Sequence, residues 1–125
     1  MNKIFIVLMM IFCHIVDDYY LQKGLLNCLK QKSWWREQNG YKDLYKYDYI
    51  VGLIVHSFSW AFMIMLPIAF TMSFNITPFF VYILLTNMTV HGIIDDMKAN
   101  KRLINLWIDQ IAHLCQIGLT ALFLL

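Results

Sequence analysis

Apolar residues fall into four long blocks, Lys3 to Leu21, Ile50 to Phe70, Ile76 to Met97 and Leu103 to Leu125. Each is close to the roughly 20 residues that a helix needs to cross the hydrocarbon core of a bilayer. Pro78 sits in the first turn of the third block, where a missing amide hydrogen is tolerated, and Pro67 lies near the end of the second. The pattern predicts an all-α integral membrane bundle of four antiparallel transmembrane helices, one domain spanning 1–125. The first block opens with "MNK" in the manner of a signal peptide. "HIVDDYYLQ" is a poor cleavage region, however, so the block is read as a spanning helix.

Composition points the same way. The chain is 60% hydrophobic and 14% charged. Soluble domains carry roughly 25% charged residues, and small ones need more polar surface rather than less. Cys13, Cys28 and Cys115 are isolated thiols without a CxxC pair, which argues against a disulfide framework. Gly52, Gly92 and Gly118 are expected to allow close helix approach.

Charge sets orientation. Lys23, Lys30, Lys32, Arg36, Lys42 and Lys46 lie between the first two blocks, and Lys98, Lys101 and Arg102 between the last two, against Lys3 opposite. The positive-inside rule then places both basic loops in the cytoplasm and both termini outside. The net charge of +2 is accordingly a topology signal, and no nucleic-acid partner is expected. In the basic, aromatic loop 22–49, Trp34, Trp35, Tyr41, Tyr45, Tyr47 and Tyr49 suit the headgroup region, as a tether with interfacial anchors or as a lid.

The four histidines fall one to each block: His14, His56, His91 and His113. Three have a carboxylate one turn away. Asp17 and Asp18 follow His14, Asp95 follows His91 with Asp96 beside it, and Asp109 precedes His113. Spacings of three and four put such side chains on one helix face. Counted from the helix ends at 1.5 Å per residue, His14, His56, His91 and Asp109 all lie about 10 Å below the cytoplasmic boundary. One shared site follows. Its carboxylates have only Lys98 and Lys101 as close basic neighbours in this reading, and uncompensated they would take up protons. A divalent metal resolves the conflict. Imidazole with carboxylate suits zinc first, with manganese or iron as alternatives, and the ligands outnumber the four that one tetrahedral zinc needs. Either two ions bind, or some aspartates orient the histidine rings.

Blander readings exist. A lone membrane histidine such as His56 is usually an interhelical hydrogen bond, and Asp17 and Asp96 could equally face water at the helix ends. A metal-free His/Asp proton relay is the main competitor.

"HIVDDYYLQ", "HGIIDDMK" and "DQIAH", with a lone histidine in the second block, resemble an uncharacterised bacterial and phage family of four-helix membrane proteins, domain of unknown function 3307. That family's pattern falls on His14, Asp18, Tyr19 and Gln22, on His91, Asp95 and Lys98, and on Asp109, Gln110 and His113. Tyr19 replaces a more usual Phe, and Asp17 and Asp96 are additions. The resemblance implies a fold and a motif set without an activity. A more distant likeness is to proteins described as membrane-bound metal-dependent hydrolases.

The reading that follows is a metal-dependent hydrolase of a lipid-linked ester or phosphoester at the cytoplasmic leaflet. The expected ligands are His14, Asp18, His56, His91, Asp95, Asp109 and His113. A metal would supply hydroxide near neutral pH, with Asp17 or Asp96 as the base and Lys98 and Gln22 as holders of a phosphate or carbonyl oxygen. Membrane lipids are the expected partners, and a homo-oligomer is compatible with the pattern. The alternatives are an ion or proton transport protein using the same residues, against which the far half of the helices reads as almost purely apolar, and a small phage-type structural or lysis protein.

Overall fold

The computed structural model of the chain describes residues 2–38 and 43–125. Tyr41 and Lys42, two of the expected interfacial residues, lie outside the described residues. The elements run α1 (Lys3–Val16), a π-helical turn (Asp17–Leu21), α2 (Leu25–Leu29), α3 (Lys32–Gln38), a 3-10 turn (Asp43–Tyr45), α4 (Asp48–Thr71), α5 (Pro78–Ala99) and α6 (Leu106–Leu124). The described residues are all helix and connection, with four segments long and apolar enough to cross a membrane: Lys3–Leu21, Asp43–Thr71, Pro78–Ala99 and Leu106–Leu124.

The helix ends follow from local chemistry. Asn2, Thr77 and Asn105 each turn a side-chain oxygen onto an amide of the first turn of α1, α5 and α6, satisfying donors that a helix start leaves open. Pro78 occupies the first turn of α5, where no amide donor is needed. Between α4 and α5 the chain reverses through Ser73 and Phe74, both at positive φ.

The four long helices pack in the ring α1–α4–α5–α6, closed by contact of α6 with α1, and α2 and α3 lie against α4. Outward faces are apolar: Leu8, Phe12, Val55, Phe58, Tyr82 and Leu122 are all exposed. An apolar surface of that extent suits lipid contact rather than water. Inside, Ile6, Met10, Trp60, Ile64, Ile68, Phe80 and Ile117 form the buried cluster of one half. The other half is lined by histidines and carboxylates.

The glycines divide. A Cβ on Gly92 would come 2.9 Å from Ser57 Oγ, so α4 and α5 do approach closely there. Gly118 has nothing within 4 Å of such a Cβ, so the close approach expected there is not made. Gly52 packs not on another long helix but on the main chain of α2, at Leu29 and Lys30. The stretch 22–49 is therefore more than an interfacial tether, because part of it is folded onto the bundle.

Candidate metal centre

The ends of α1 and α5 meet the beginnings of α4 and α6, and this brings the histidines to one level. His14, His56, His91 and His113 are all buried, as are Asp17, Asp95 and Asp109. Ring centroids of His91 and His113 lie 4.3 Å apart, those of His56 and His91 5.0 Å, and those of His14 and His113 5.7 Å. Trp60 stacks on His91 with centroids 4.2 Å apart and planes 17° from parallel. Trp60 also meets His113, with centroids 5.2 Å apart and planes tilted by 45°, so the three rings pack as a mutual cluster that constrains the imidazole planes.

Asp95 is the hub. His56 Nε2 lies 2.9 Å from its Oδ2, while His113 Nε2 and His91 Nε2 lie 3.5 and 3.8 Å from its Oδ1. His56 Nε2 is crowded. It also has His91 Nε2 at 3.1 Å and the Lys30 ammonium at 3.2 Å. An imidazole nitrogen has one bonding direction in the ring plane, so it can satisfy only one of these neighbours. His113 Nε2 is 3.4 Å from Asp109 Oδ1, and both atoms are buried without a hydrogen bond.

Two sets of side chains could hold a metal ion: His91, Asp95 and His113, all buried, and Asp18, His56 and His91. Within each set the ligand atoms lie within 4.8 Å of one another. Convergent imidazole and carboxylate donors, several of them unsatisfied, are the chemistry a divalent ion takes. The residues fit such an ion.

His14 is engaged differently. Trp60 donates its indole N–H to His14 Nδ1 at 2.7 Å. Indole nitrogen can only donate, so Nδ1 is the acceptor and the neutral ring carries its proton on Nε2. That proton points to Gln110 Oε1 at 3.1 Å. Gln110 in turn donates to Asp109 Oδ2 at 3.1 Å, which also accepts from Lys98 at 2.6 Å. Both nitrogens of His14 are thereby used, and the residue belongs to neither ligand set. Asp18 Oδ2 stands 3.4 Å from His14 Nδ1, and Asp18 Oδ1 3.8 Å from His56 Nε2.

The remaining expected residues scatter around this core. Asp17 is fully buried rather than facing water, accepts from Ser59 Oγ at 2.5 Å, and leaves Oδ2 without a partner. The π-helical turn, closed by the Gln22 amide on the Asp17 carbonyl at 2.9 Å, starts at this residue. Such insertions recur at functional sites because they re-aim side chains. Gln22 is buried and lines a cavity of about 350 Å³ with His56, Leu26, Leu29 and Val55. Asp96 stands away from the ligand sets. It pairs with Lys101 at 3.1 Å, accepts from Asn100 at 2.8 Å, and lines a groove between α4 and α5.

Two sequence expectations are corrected. Lys98 and Lys101, which pair with Asp109 and Asp96, are not the only cations near the carboxylates: Lys30 enters the cluster and donates to Asp95 Oδ2 at 2.5 Å. The lysine is remote in sequence and reaches the site only because α2 folds back over α4. Nor does polarity stop at the histidines. Asn87 donates to Thr120 Oγ1 at 2.7 Å, and Gln116 donates to the Asn87 carbonyl at 2.8 Å, one turn deeper in α5 and α6. Trp60 was missed as well, since an aromatic in an apolar run reads as packing.

These features define a class of protein, a bundle of four helices of membrane-spanning length around a buried His/Asp cluster. Within it, the chain belongs to the family whose model is described as "Protein of unknown function (DUF3307)" and matches residues 4–124. No curated protein and no solved structure matches it.

Proposed function

We propose that the protein is a multi-pass membrane enzyme, a metal-dependent hydrolase of a lipid-linked ester or phosphoester at the cytoplasmic leaflet. Its four helices would cross the bilayer antiparallel, with both termini outside and α2 and α3 at the cytoplasmic surface. The observation that carries the reading is the convergence of His91, Asp95 and His113, all buried, with His56, which contacts Asp95 and His91, lining a cavity together with Gln22, Leu26 and Val55. A mostly apolar cavity that also presents His56, Gln22 and Asp48 suits a lipid with a hydrolysable head.

His91 belongs to both ligand sets, and one ring nitrogen cannot serve two ions, so a single ion is the simplest occupant. Zinc suits the imidazole-rich donors best. Held by these residues, a metal would supply Lewis-acid chemistry, polarising a scissile group and lowering the pKa of a bound water. The chain's own residues do the rest. Trp60, Gln110 and Lys98 orient His14 and Asp109, and Asp17, with a buried unpartnered oxygen, is the candidate base.

Elemental analysis of the protein purified in detergent is the first test, followed by hydrolysis of phospholipid and polyprenyl-phosphate panels with and without chelator. Stoichiometric metal and chelator-sensitive turnover support the reading; metal without turnover across the panels favours a structural metal. A second reading, proton or ion conduction, draws on the Asn87–Gln116–Thr120 network, which extends polarity inward from the cluster. Against it stand Ile64, Ile68 and Phe80, which fill the interior beyond.

A further inference from the structure

Lys30 enters the centre from a segment built to deliver it. The residue caps the C-terminus of α2, outside the four long helices. Its neighbouring main chain is fixed at three points. A Cβ on Gly52 would come within 2.5 Å of the Leu29 carbonyl carbon and 2.8 Å of the Lys30 nitrogen, so only glycine lets this backbone lie so close to α4. Asn100 donates to the Lys30 carbonyl at 3.1 Å and accepts from the Lys32 amide at 2.8 Å. Trp35 donates its indole N–H to the Leu29 carbonyl at 2.9 Å. A chain serving only as a tether has no need of such fixation.

At the end of this support the Lys30 side chain is 12% exposed and its ammonium contacts Asp95 and His56. It stands among the same donors that could hold a metal ion. Two cations then share Asp95. Once Asp95 serves as a ligand through the Oδ1 that faces His91 and His113, its single charge is shared between the ion and the Lys30 on Oδ2, and a mostly buried ammonium only partly offset is disfavoured. The clamped backbone keeps the side chain from withdrawing far. An anionic oxygen brought by the substrate would meet that need: Leu29, next to Lys30 in the chain, and His56, which its ammonium contacts, both line the 350 Å³ cavity.

We propose that Lys30 is the residue that selects the substrate's chemistry: it offsets Asp95 in the metal-free protein and grips a phosphate oxygen in the metal-loaded one. This rests on the metal reading above and narrows its substrate to phosphate-bearing lipids, at the expense of neutral esters. Lys98 cannot take the role as readily, because its partner Asp109 belongs to neither ligand set and stays available to hold it.

The test is calorimetry on the full chain in detergent. Zinc is titrated first; inorganic phosphate, a short-chain phosphatidic acid and the matching neutral diacylglycerol are then titrated into zinc-loaded protein. Lys30→Met should bind zinc at least as tightly as the parent, because a competing cation is gone. It should lose affinity for the phosphate ligands by about tenfold or more, the scale of one charge-assisted hydrogen bond. Lys30→Arg should keep most of that affinity. Gly52→Ala, which displaces the supporting backbone, should weaken phosphate binding while sparing zinc. Tighter binding of phosphatidic acid than of inorganic phosphate marks a lipid head as the ligand, and equal binding marks free phosphate; either supports the role of Lys30 if Lys30→Met abolishes it. Zinc binding with phosphate affinity unchanged in Lys30→Met, or diacylglycerol bound as well as phosphatidic acid, overturns this inference alone. Absence of zinc binding in both parent and Lys30→Met overturns the metal reading and this inference with it.

Discussion

Trp60 donates its indole N–H to His14 Nδ1 across 2.7 Å, and this one bond decides which nitrogen of His14 carries the proton. The same indole stacks on His91, so a single side chain of α4 orients a histidine of α1 and another of α5. Trp60→Phe should keep the stack and lose the hydrogen bond. With His14 Nδ1 buried and unpaired, unfolding in mild denaturant should occur about 1–3 kcal/mol more easily. An unchanged unfolding midpoint would mean that His14 is held by Gln110 alone.

Metal content should separate the ligand sets from their surroundings. His91→Ala, His113→Ala and Asp95→Ala should each abolish bound metal, because all three belong to the buried set. Asp96→Asn should leave it intact, since Asp96 is engaged with Lys101 and Asn100. Elemental analysis of each variant against the parent reads this directly. Equal loss in Asp96→Asn would show that the rim carboxylate supports the site.

Asp17 tests the proposed chemistry. Asp17→Asn preserves shape and can still accept from Ser59, so metal should remain bound. Turnover on a responsive phospholipid should fall by typically 10²- to 10⁴-fold, the scale of a lost general base. Full activity in the variant would assign Asp17 a packing role.

Occupancy should fall as pH falls. The ligands are neutral imidazole and carboxylate, and a proton on either competes with the metal for the same lone pair, so acid favours release. Metal retained after dialysis across a pH series should therefore decline on the acid side only. Loss on the alkaline side instead would indicate hydroxide competition at an exposed ion.

The orientation is tested at Lys46, exposed in the stretch between α3 and α4. In a chain with Cys13, Cys28 and Cys115 replaced, Lys46→Cys should react with impermeant maleimide only after the cytoplasmic face is opened. Reaction in intact cells would invert the topology while leaving the centre in place.

The sequence by itself determined the four helices and the identity of the cluster. Hydrophobic blocks of spanning length leave helix as the one structure that satisfies each backbone group internally, and the spacing from His91 to Asp95 or from Asp109 to His113 is fixed by helical geometry alone. Counting along those helices was enough to put three of the histidines and Asp109 at one level. What only the tertiary structure decided were relationships across elements: Lys30 on Asp95, Trp60 on His14, Asp96 turned to Lys101, and the Asn87–Thr120 bond beneath. Periodicity states which face of a helix a residue occupies but not which neighbour faces it. Lys30 illustrates the limit. In sequence it is one basic residue among several in a connection, and its role depends on the bare Cα of Gly52 in another helix, where α2 comes to rest.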